Sequence, residues 1–234
     1  LTFLADYIKK IKNRRYTYRI IFVPETIGSV TYLSKNYKQM KKYIRYGFNL
    51  SCVGDERTYS FLPSRNKNTL SDKVSLNILN KKKIIFKEYN WNSRGSDERQ
   101  YCSPGIDLPV CSVLRSKFGE YKEYHTSLDK LGTVVTAKGL SQSFDLYTEI
   151  IKQIEKNIIP KSKILCEPQM GKRQLYHSIS IKNSHSTKDM MNVLTYSDGN
   201  NSIIDIANLC KLDLKKVKHY IKILKKNKLI EFVD

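Results

Sequence analysis

Short segments rich in β-branched and aromatic residues alternate along this chain with longer segments whose apolar residues recur at helical spacing. Such alternation constrains the fold strongly, because strand–helix–strand units favour parallel strands that are covered by helices. We therefore predict an α/β fold, with a mostly parallel sheet and helices on both of its faces. The predicted strands are 17–23, 48–53, 83–89 and 108–114, and the predicted helices are 1–11, 27–43, 69–80 and 141–156.

A second, smaller domain is predicted at the C-terminal end, because the sequence pattern changes at residue 186. Three short helices with apolar faces are predicted there, followed by a strand at 229–233. Asp213 is placed to cap the third of these helices, and the order of elements matches a winged-helix module. The predicted divisions are an α/β domain at 1–160, a linker or connecting strand at 161–185 and a winged-helix domain at 186–234.

The composition is that of a globular protein kept under reducing conditions. Hydrophobic residues make up 40% of the 234 residues, which is enough for a buried core. The five cysteines are scattered and include no Cys-x-x-Cys pair, so we expect reduced thiols and a cytoplasmic location. No apolar run approaches the roughly 18–20 residues of a membrane span, so no membrane partner is expected. The chain begins with Leu1, and we expect that an upstream part of the protein is missing.

The formal net charge of +20 raises the question of a nucleic-acid partner. Lys and Arg outnumber Asp and Glu by 28 to 15 in residues 1–160 and by 14 to 7 in residues 161–234, so the excess is spread evenly. Solvated lysine-rich faces with weak, nonspecific polyanion binding explain this better than a dedicated nucleic-acid module. Nucleic acid is therefore an open alternative that we do not favour, and the sequence leaves oligomerisation open as well.

Polar side chains follow the predicted strands of the α/β domain. Glu25 and Asp55 each come two residues after a strand, Asp97 follows the third strand by a short loop, and His125 comes after the fourth. Because ligands in open parallel sheets bind beyond the carboxyl ends of the strands, these side chains are expected in one pocket. Carboxylates and imidazole together suit zinc or another borderline divalent metal. Taken singly, Glu25 also fits a helix start and Asp55 a plain turn, so the metal hypothesis depends on the joint arrangement.

Four motifs occur in the order that is found in a known family. They are Val-Pro-Glu-Thr-Ile-Gly-Ser at 23–29, Gly-Ser-Asp at 95–97, Gly-Ile-Asp-Leu-Pro at 105–109 and Tyr-His-Thr-Ser-Leu-Asp at 124–129. The chain thereby resembles the di-zinc aminopeptidases, in which a carboxylate after a sheet strand precedes a Gly-Ser turn and a Tyr-His pair comes later. More closely, almost the whole chain resembles the C-terminal part of a bacterial family of aminopeptidase-like proteins that carry a winged-helix tail.

The resemblance implies a zinc-exopeptidase-like fold, incomplete at its N-terminal end, and the hydrolysis of a peptide or a related amide bond. By this similarity, His125 and Asp55 would bind one or two zinc ions, and Glu25 would be the general base or a further ligand. Asp129 would orient His125. The residues expected behind the ligands or against the substrate are Asp97, Asp129 and Tyr124.

The chain departs from the family pattern in three places. Thr26 stands where these enzymes typically carry a second glutamate, and Glu98 stands where many relatives have a histidine. The family's first zinc-binding histidine and its metal-bridging aspartate would precede Leu1. The hydrolase hypothesis therefore concerns the complete parent protein, and we expect these 234 residues alone to hydrolyse little. Two other hypotheses stand beside it, namely a metal-free binding or scaffold module and a winged-helix nucleic-acid binder.

Overall fold

The computed structural model describes residues 1–173, 175 and 184–233 of the chain. The chain divides into two compact units, Leu1–Glu155 and Lys156–Asp234. Part of the predicted linker at 161–185, namely residues 174 and 176–183, lies outside the described residues. Within the part of the chain that is described, no helix has both the length and the apolar character needed to cross a bilayer.

A mixed sheet of four strands lies at the centre of the first unit. The strands are β1 (Gly47–Phe48), β2 (Tyr59–Leu62), β3 (Phe86–Glu88) and β4 (Val110–Leu114). β1 runs parallel to β4 and β2 runs parallel to β3, whereas β2 and β4 pair antiparallel, which gives the order β1-β4-β2-β3. The sheet is therefore mostly parallel, as the alternation of strands and helices predicts. The helices of this unit are α1 (Thr2–Lys10), α2 (Ile27–Tyr43), α3 (Leu70–Lys81), α4 (Glu98–Tyr101) and α5 (Ala137–Lys156).

α3 and α5 show two local reasons why helices form in this unit, a side-chain cap and an apolar face. At the start of α3, the Thr69 side chain accepts the N–H of Asp72, and the Asp72 carboxylate accepts the N–H of Thr69, which completes a capping box. α5 buries Leu146 and other apolar residues of one face. The hydroxyl of Tyr147 donates to the carbonyl of Val113 at 2.8 Å, so α5 is fixed to β4.

Two predicted strands differ from the observed structure. Residues 17–23 form no strand, because no segment in the described part of the chain pairs with them. The predicted strand at 48–53 is reduced to Gly47–Phe48, because only these two residues pair with β4. β2 escapes prediction because it is short and is followed directly by Pro63. Glu25 and Asp55 therefore do not come directly after strands of the sheet.

The second unit has the order of elements expected for a winged helix. Asp213 Oδ1 accepts the N–H of Lys215 at 2.6 Å, which confirms the predicted cap of the third helix. The first strand of the unit pairs antiparallel with the last, and it escapes prediction because Pro160 lowers its strand signal. The elements are β5 (Ile159–Ser162), α6 (Ser184–Thr195), α7 (Ile203–Cys210), α8 (Leu214–Lys226) and β6 (Ile230–Val233). The fully buried side chains of its core include Ile203, Ile206, Leu224, Leu229 and Ile230.

Candidate functional site

Glu25 lies in a strained turn at the start of α2. The carbonyl of Glu25 accepts the N–H of Ile27 at 2.7 Å across Thr26, whose φ of 63° and ψ of −72° are those of a classic γ-turn. This turn is rare, and a β-branched residue at positive φ is unfavourable, so other contacts have to hold it. The Thr26 N–H donates to Asp97 Oδ1 at 2.7 Å, and Arg99 Nη2 donates to Thr26 Oγ1 at 2.7 Å. The structure thus brings the backbone beside Glu25 against Asp97.

The side chain of Glu25 is exposed, and in the described part of the chain its carboxylate has no hydrogen-bond partner. The contacts beside it involve the N–H and the hydroxyl of Thr26. A carboxylate that is free of partners keeps all of its acceptor positions open to a proton or a cation.

Glu98, at the position where a histidine was expected from the resemblance, organises the loop that carries Asp97. The Glu98 side chain is fully buried, and its Oε1 accepts the N–H groups of Gly95 at 2.8 Å and of Ser96 at 3.0 Å. Its Oε2 accepts from Asn49 Nδ2 at 2.8 Å. The acidic motif after Gly95 signals this role, since a carboxylate near the first turn of a helix often accepts backbone N–H groups.

Asp55 is buried, and hydrogen bonds occupy both of its carboxylate oxygens. Its Oδ1 accepts from the Arg57 N–H at 2.9 Å and from Ser116 Oγ at 2.8 Å, and its Oδ2 accepts from the Ser116 N–H at 2.7 Å. These bonds connect the segment after β1 to the residues after β4. They favour a structural role for Asp55, and its role as a metal ligand stays a prediction.

His125 and Tyr124 form a stacked pair in the connection between β4 and α5. Their ring centroids are 3.9 Å apart with an interplanar angle of 20°, and His125 is exposed at a φ of 60°. Burial raises the pKa of Tyr124, and the nearby charge of Glu25 raises it further. The charge of Glu25 therefore acts on the hydroxyl of Tyr124.

Asp129 contacts a residue that the sequence analysis does not single out. Its Oδ2 accepts from the Tyr121 hydroxyl at 2.7 Å. Burial raises the pKa of Tyr121, and the hydrogen bond to Asp129 adds to this because it favours the protonated phenol. Direct orientation of His125 by Asp129 stays a prediction. The sequence signal for Tyr121 is its spacing, since it precedes Tyr124 by three residues in a loop rich in tyrosine.

The donors in the described part of the chain do not make a complete zinc site. Across residues 1–173, 175 and 184–233, no three His, Cys, Asp or Glu side chains lie close enough together to hold one metal ion. A zinc ion in a protein takes at least three such ligands. Glu25 and His125 have suitable donor atoms and exposed side chains, but these two alone fall short of that number.

A separate charged surface lies on α8 of the second unit. The helix buries Val217, Tyr220, Ile221 and Leu224, and it contains no acidic residue between Leu214 and Lys226. Its exposed lysines are Lys215, Lys216, Lys222, Lys225 and Lys226, of which Lys216 pairs with Asp189 at 2.6 Å. We refer to these five lysines as the α8 lysine face.

Comparison with protein families gives two adjoining matches. The family described as "Domain of unknown function (DUF4910)" matches residues 1–157, and the family described as "winged helix-turn-helix" matches residues 156–232. Along the chain, the junction between these matches coincides with the boundary between Glu155 and Lys156 that separates the two compact units.

Two relatives, both from Clostridium acetobutylicum, are similar over essentially the whole chain. A protein named "Putative polysaccharide biosynthesis protein with aminopeptidase-like domain" is 36% identical over 243 aligned residues, which cover 100% of this chain and 54% of the relative. A crystal structure at 2.37 Å described as a "putative peptidase" is 35% identical with a TM-score of 0.75, over 99% of this chain and 52% of the other. The chain spans about half the length of each relative.

Proposed function

The chain belongs to the DUF4910 family, and from this premise we propose that the natural polypeptide that carries it hydrolyses a peptide or a related amide bond. The names of the two relatives, an aminopeptidase-like domain protein and a peptidase, support this reaction class. Because the chain spans about half of each relative, the proposal concerns the natural polypeptide, whatever its length.

The proposal depends on one observation, the placement of Glu25. Thr26 has a φ of 63°, and its N–H is bound by Asp97 and its hydroxyl by Arg99, while the adjacent Glu25 carboxylate is exposed and has no partner among the described residues. Strained backbone that is held by several contacts often marks a functional site. We assign to Glu25 the role of general base, which takes the proton from the water that attacks the amide carbonyl.

Tyr124 suits a second role in the same reaction. Like any tyrosine hydroxyl, that of Tyr124 is protonated at neutral pH and is a hydrogen-bond donor. A donor that faces the developing oxyanion of an amide stabilises the tetrahedral intermediate. We therefore assign the Tyr124 hydroxyl to the carbonyl oxygen of the substrate.

Zinc dependence is a further part of the proposal. Imidazole is a zinc ligand, and His125 supplies an exposed imidazole in this unit. The remaining ligands would have to come from elsewhere in the natural polypeptide.

The test is hydrolysis of a panel of aminoacyl-coumarin amides, peptides and N-acyl amino sugars by the natural polypeptide and its Glu25→Gln variant. General-base catalysis contributes about 10²–10⁴-fold, so we expect Glu25→Gln to lower kcat by at least about 100-fold. The matched control is Glu88→Gln, because Glu88 is an exposed glutamate of the same unit on β3. Equal kcat values for the wild type and Glu25→Gln would refute the assignment.

A further inference from the structure

The connection that carries His125 is long and irregular. Residues 115–136 lie between β4 and α5, and apart from a single bridge between Leu131 and Val135 they form no helix or strand. Such long connections within a compact unit often carry binding or catalytic groups. A loop that presents an exposed imidazole needs other contacts to fix the position of that imidazole.

Tyr121 makes contacts that could supply this support. Its hydroxyl donates to Asp129 Oδ2 at 2.7 Å, which joins two points of the loop. The same oxygen lies 3.8 Å from the Cys52 sulfur, in the segment after β1. The ring of Tyr121 packs edge-on against Tyr124, with centroids 5.7 Å apart and an interplanar angle of 71°. Asp129, Cys52 and Tyr124 therefore all lie against the Tyr121 side chain.

Arg57 supports the same ring from a second direction. Its guanidinium lies 5.7 Å from the centroid of Tyr121 and donates to both carboxylate oxygens of Glu123, at 3.0 and 2.8 Å. Glu123 directly precedes Tyr124 in the chain. The backbone of Arg57 is in turn held by the buried carboxylate of Asp55. Tyr121 is thus restrained by the hydrogen bond to Asp129 and by the Arg57–Glu123 ion pair.

The three rings of Tyr121, Tyr124 and His125 are in contact in that order, since Tyr124 packs on Tyr121 at 5.7 Å and stacks on His125 at 3.9 Å. Motion of Tyr121 therefore reaches His125 through Tyr124. We propose that Tyr121 is a positioning residue that fixes the Tyr124–His125 pair, and that Asp129 acts on this pair through the Tyr121 hydroxyl. This role deepens the proposed function. Only its kinetic test rests on that function, because the structural test requires no catalytic activity.

The first test is an NMR measurement of the His125 imidazole protons at one fixed pH, which requires no catalytic activity. The signals are identified by their loss in His125→Gln. In the wild type we expect an upfield ring-current shift from the stacked Tyr124. Tyr121→Phe and Asp129→Asn should each move the signals toward the values of an unstacked histidine. Tyr43→Phe is the control, because Tyr43 is exposed at the end of α2.

The double variant Tyr121→Phe/Asp129→Asn makes the test more stringent. Both substitutions remove the same hydrogen bond, so the double variant should shift the His125 signals no further than either single variant does. Unchanged His125 signals in Tyr121→Phe, or a shift in the double variant that equals the sum of the two, would overturn the inference. Unfolding followed by the fluorescence of Trp91, the one tryptophan of the chain, shows whether each variant folds.

The second test is kinetic and uses the natural polypeptide. Tyr121→Phe and Asp129→Asn should each lower kcat about tenfold, equivalent to about 1.4 kcal/mol, with little change in KM. If Glu25→Gln has no effect on hydrolysis, the proposed function fails while the NMR result still decides the role of Tyr121. If hydrolysis depends on Glu25 but Tyr121→Phe leaves both kcat and the His125 signals unchanged, the positioning inference fails by itself.

Discussion

The backbone N–H of Thr26 donates to Asp97 Oδ1 at 2.7 Å, although 71 residues separate the two along the chain. This hydrogen bond helps to hold the γ-turn before α2 and thereby fixes the direction in which Glu25 leaves the backbone. Without it, Thr26 would be free to return to a negative φ, which a β-branched residue prefers. The placement of the proposed base is thus a tertiary effect.

Asp97→Ala removes the acceptor and should lower the free energy of unfolding by about 1–3 kcal/mol, since it leaves the Thr26 N–H without its partner. Urea unfolding followed by Trp91 fluorescence measures this change. Asp97→Asn is the control, because it keeps an oxygen acceptor at the same place and should retain most of the stability. An Asp97→Ala variant that unfolds like the wild type would show that the γ-turn does not need this bond.

Asp55→Ala should destabilise the first unit by about 2–4 kcal/mol, because it leaves the N–H groups of Arg57 and Ser116 without their acceptor in a buried place. Ser116→Ala removes only the hydroxyl contact and should cost less. The zinc content of the natural polypeptide in Asp55→Ala separates this structural role from the ligand role that the sequence predicts. Loss of zinc with unchanged stability would instead assign Asp55 to a metal.

Chelator treatment tests the metal part of the proposal. Dialysis of the natural polypeptide against a chelator should abolish hydrolysis, and added Zn²⁺ should restore it. His125→Ala should lower bound zinc, measured by atomic emission. His219→Ala is the control, since His219 is an exposed histidine on α8 of the second unit. Full hydrolysis after chelation would contradict zinc dependence.

The Arg57–Glu123 ion pair predicts a dependence of stability on pH. The hydrogen bonds from Arg57 hold the pKa of Glu123 below its ordinary value. A carboxylate with a lowered pKa stabilises the fold above its unfolded pKa of about 4.3, and this contribution disappears as the pH falls through the lowered folded pKa. Glu123→Gln should therefore lower the urea midpoint slightly at pH 7 but not at strongly acidic pH. Glu88→Gln should show no such difference, and an equal loss at both pH values would contradict the expectation.

The α8 lysine face predicts weak polyanion binding by the second unit. Replacing Lys215, Lys222 and Lys225 by alanine should lower the salt concentration at which the protein leaves a heparin column. In a plot of the logarithm of the duplex-binding constant against the logarithm of the salt concentration, each phosphate contact that is lost should also make the slope shallower by about 0.9.

The matched control for the α8 lysine face removes three exposed lysines of α2, Lys35, Lys38 and Lys42, and so makes the same change in net charge. Equal effects of the two triple variants would show that the binding reflects overall charge and has no preferred face. Affinity that differs between unrelated duplex sequences would contradict nonspecific binding and favour a nucleic-acid function.

Local signals predict the helices of this chain well, whereas tertiary contacts decide which segments form strands and which side chains are free to bind a ligand. The end signals Thr69 and Asp213 are readable because capping involves residues only two or three positions apart. The strand at 17–23 is predicted from β propensity alone, yet a strand also needs a partner, and a single sequence does not reveal whether one is present. The sequence likewise predicts Asp55 as an available ligand, because it does not reveal that the fold brings Ser116 to the Asp55 carboxylate.

The pairing of β5 with β6 sets the order in which the second unit can be completed during synthesis. Ile159 lies opposite Val233 and Ser162 opposite Ile230, so the first strand of this unit finds its partner only in the last residues of these 234. If synthesis paused after α8, the backbone groups of β5 that pair with β6 would still lack their hydrogen-bond partners. The three helices of the unit would by then already be able to associate. Because contacts of such large sequence separation form slowly, closure of this two-stranded ribbon is expected late in the folding of the unit.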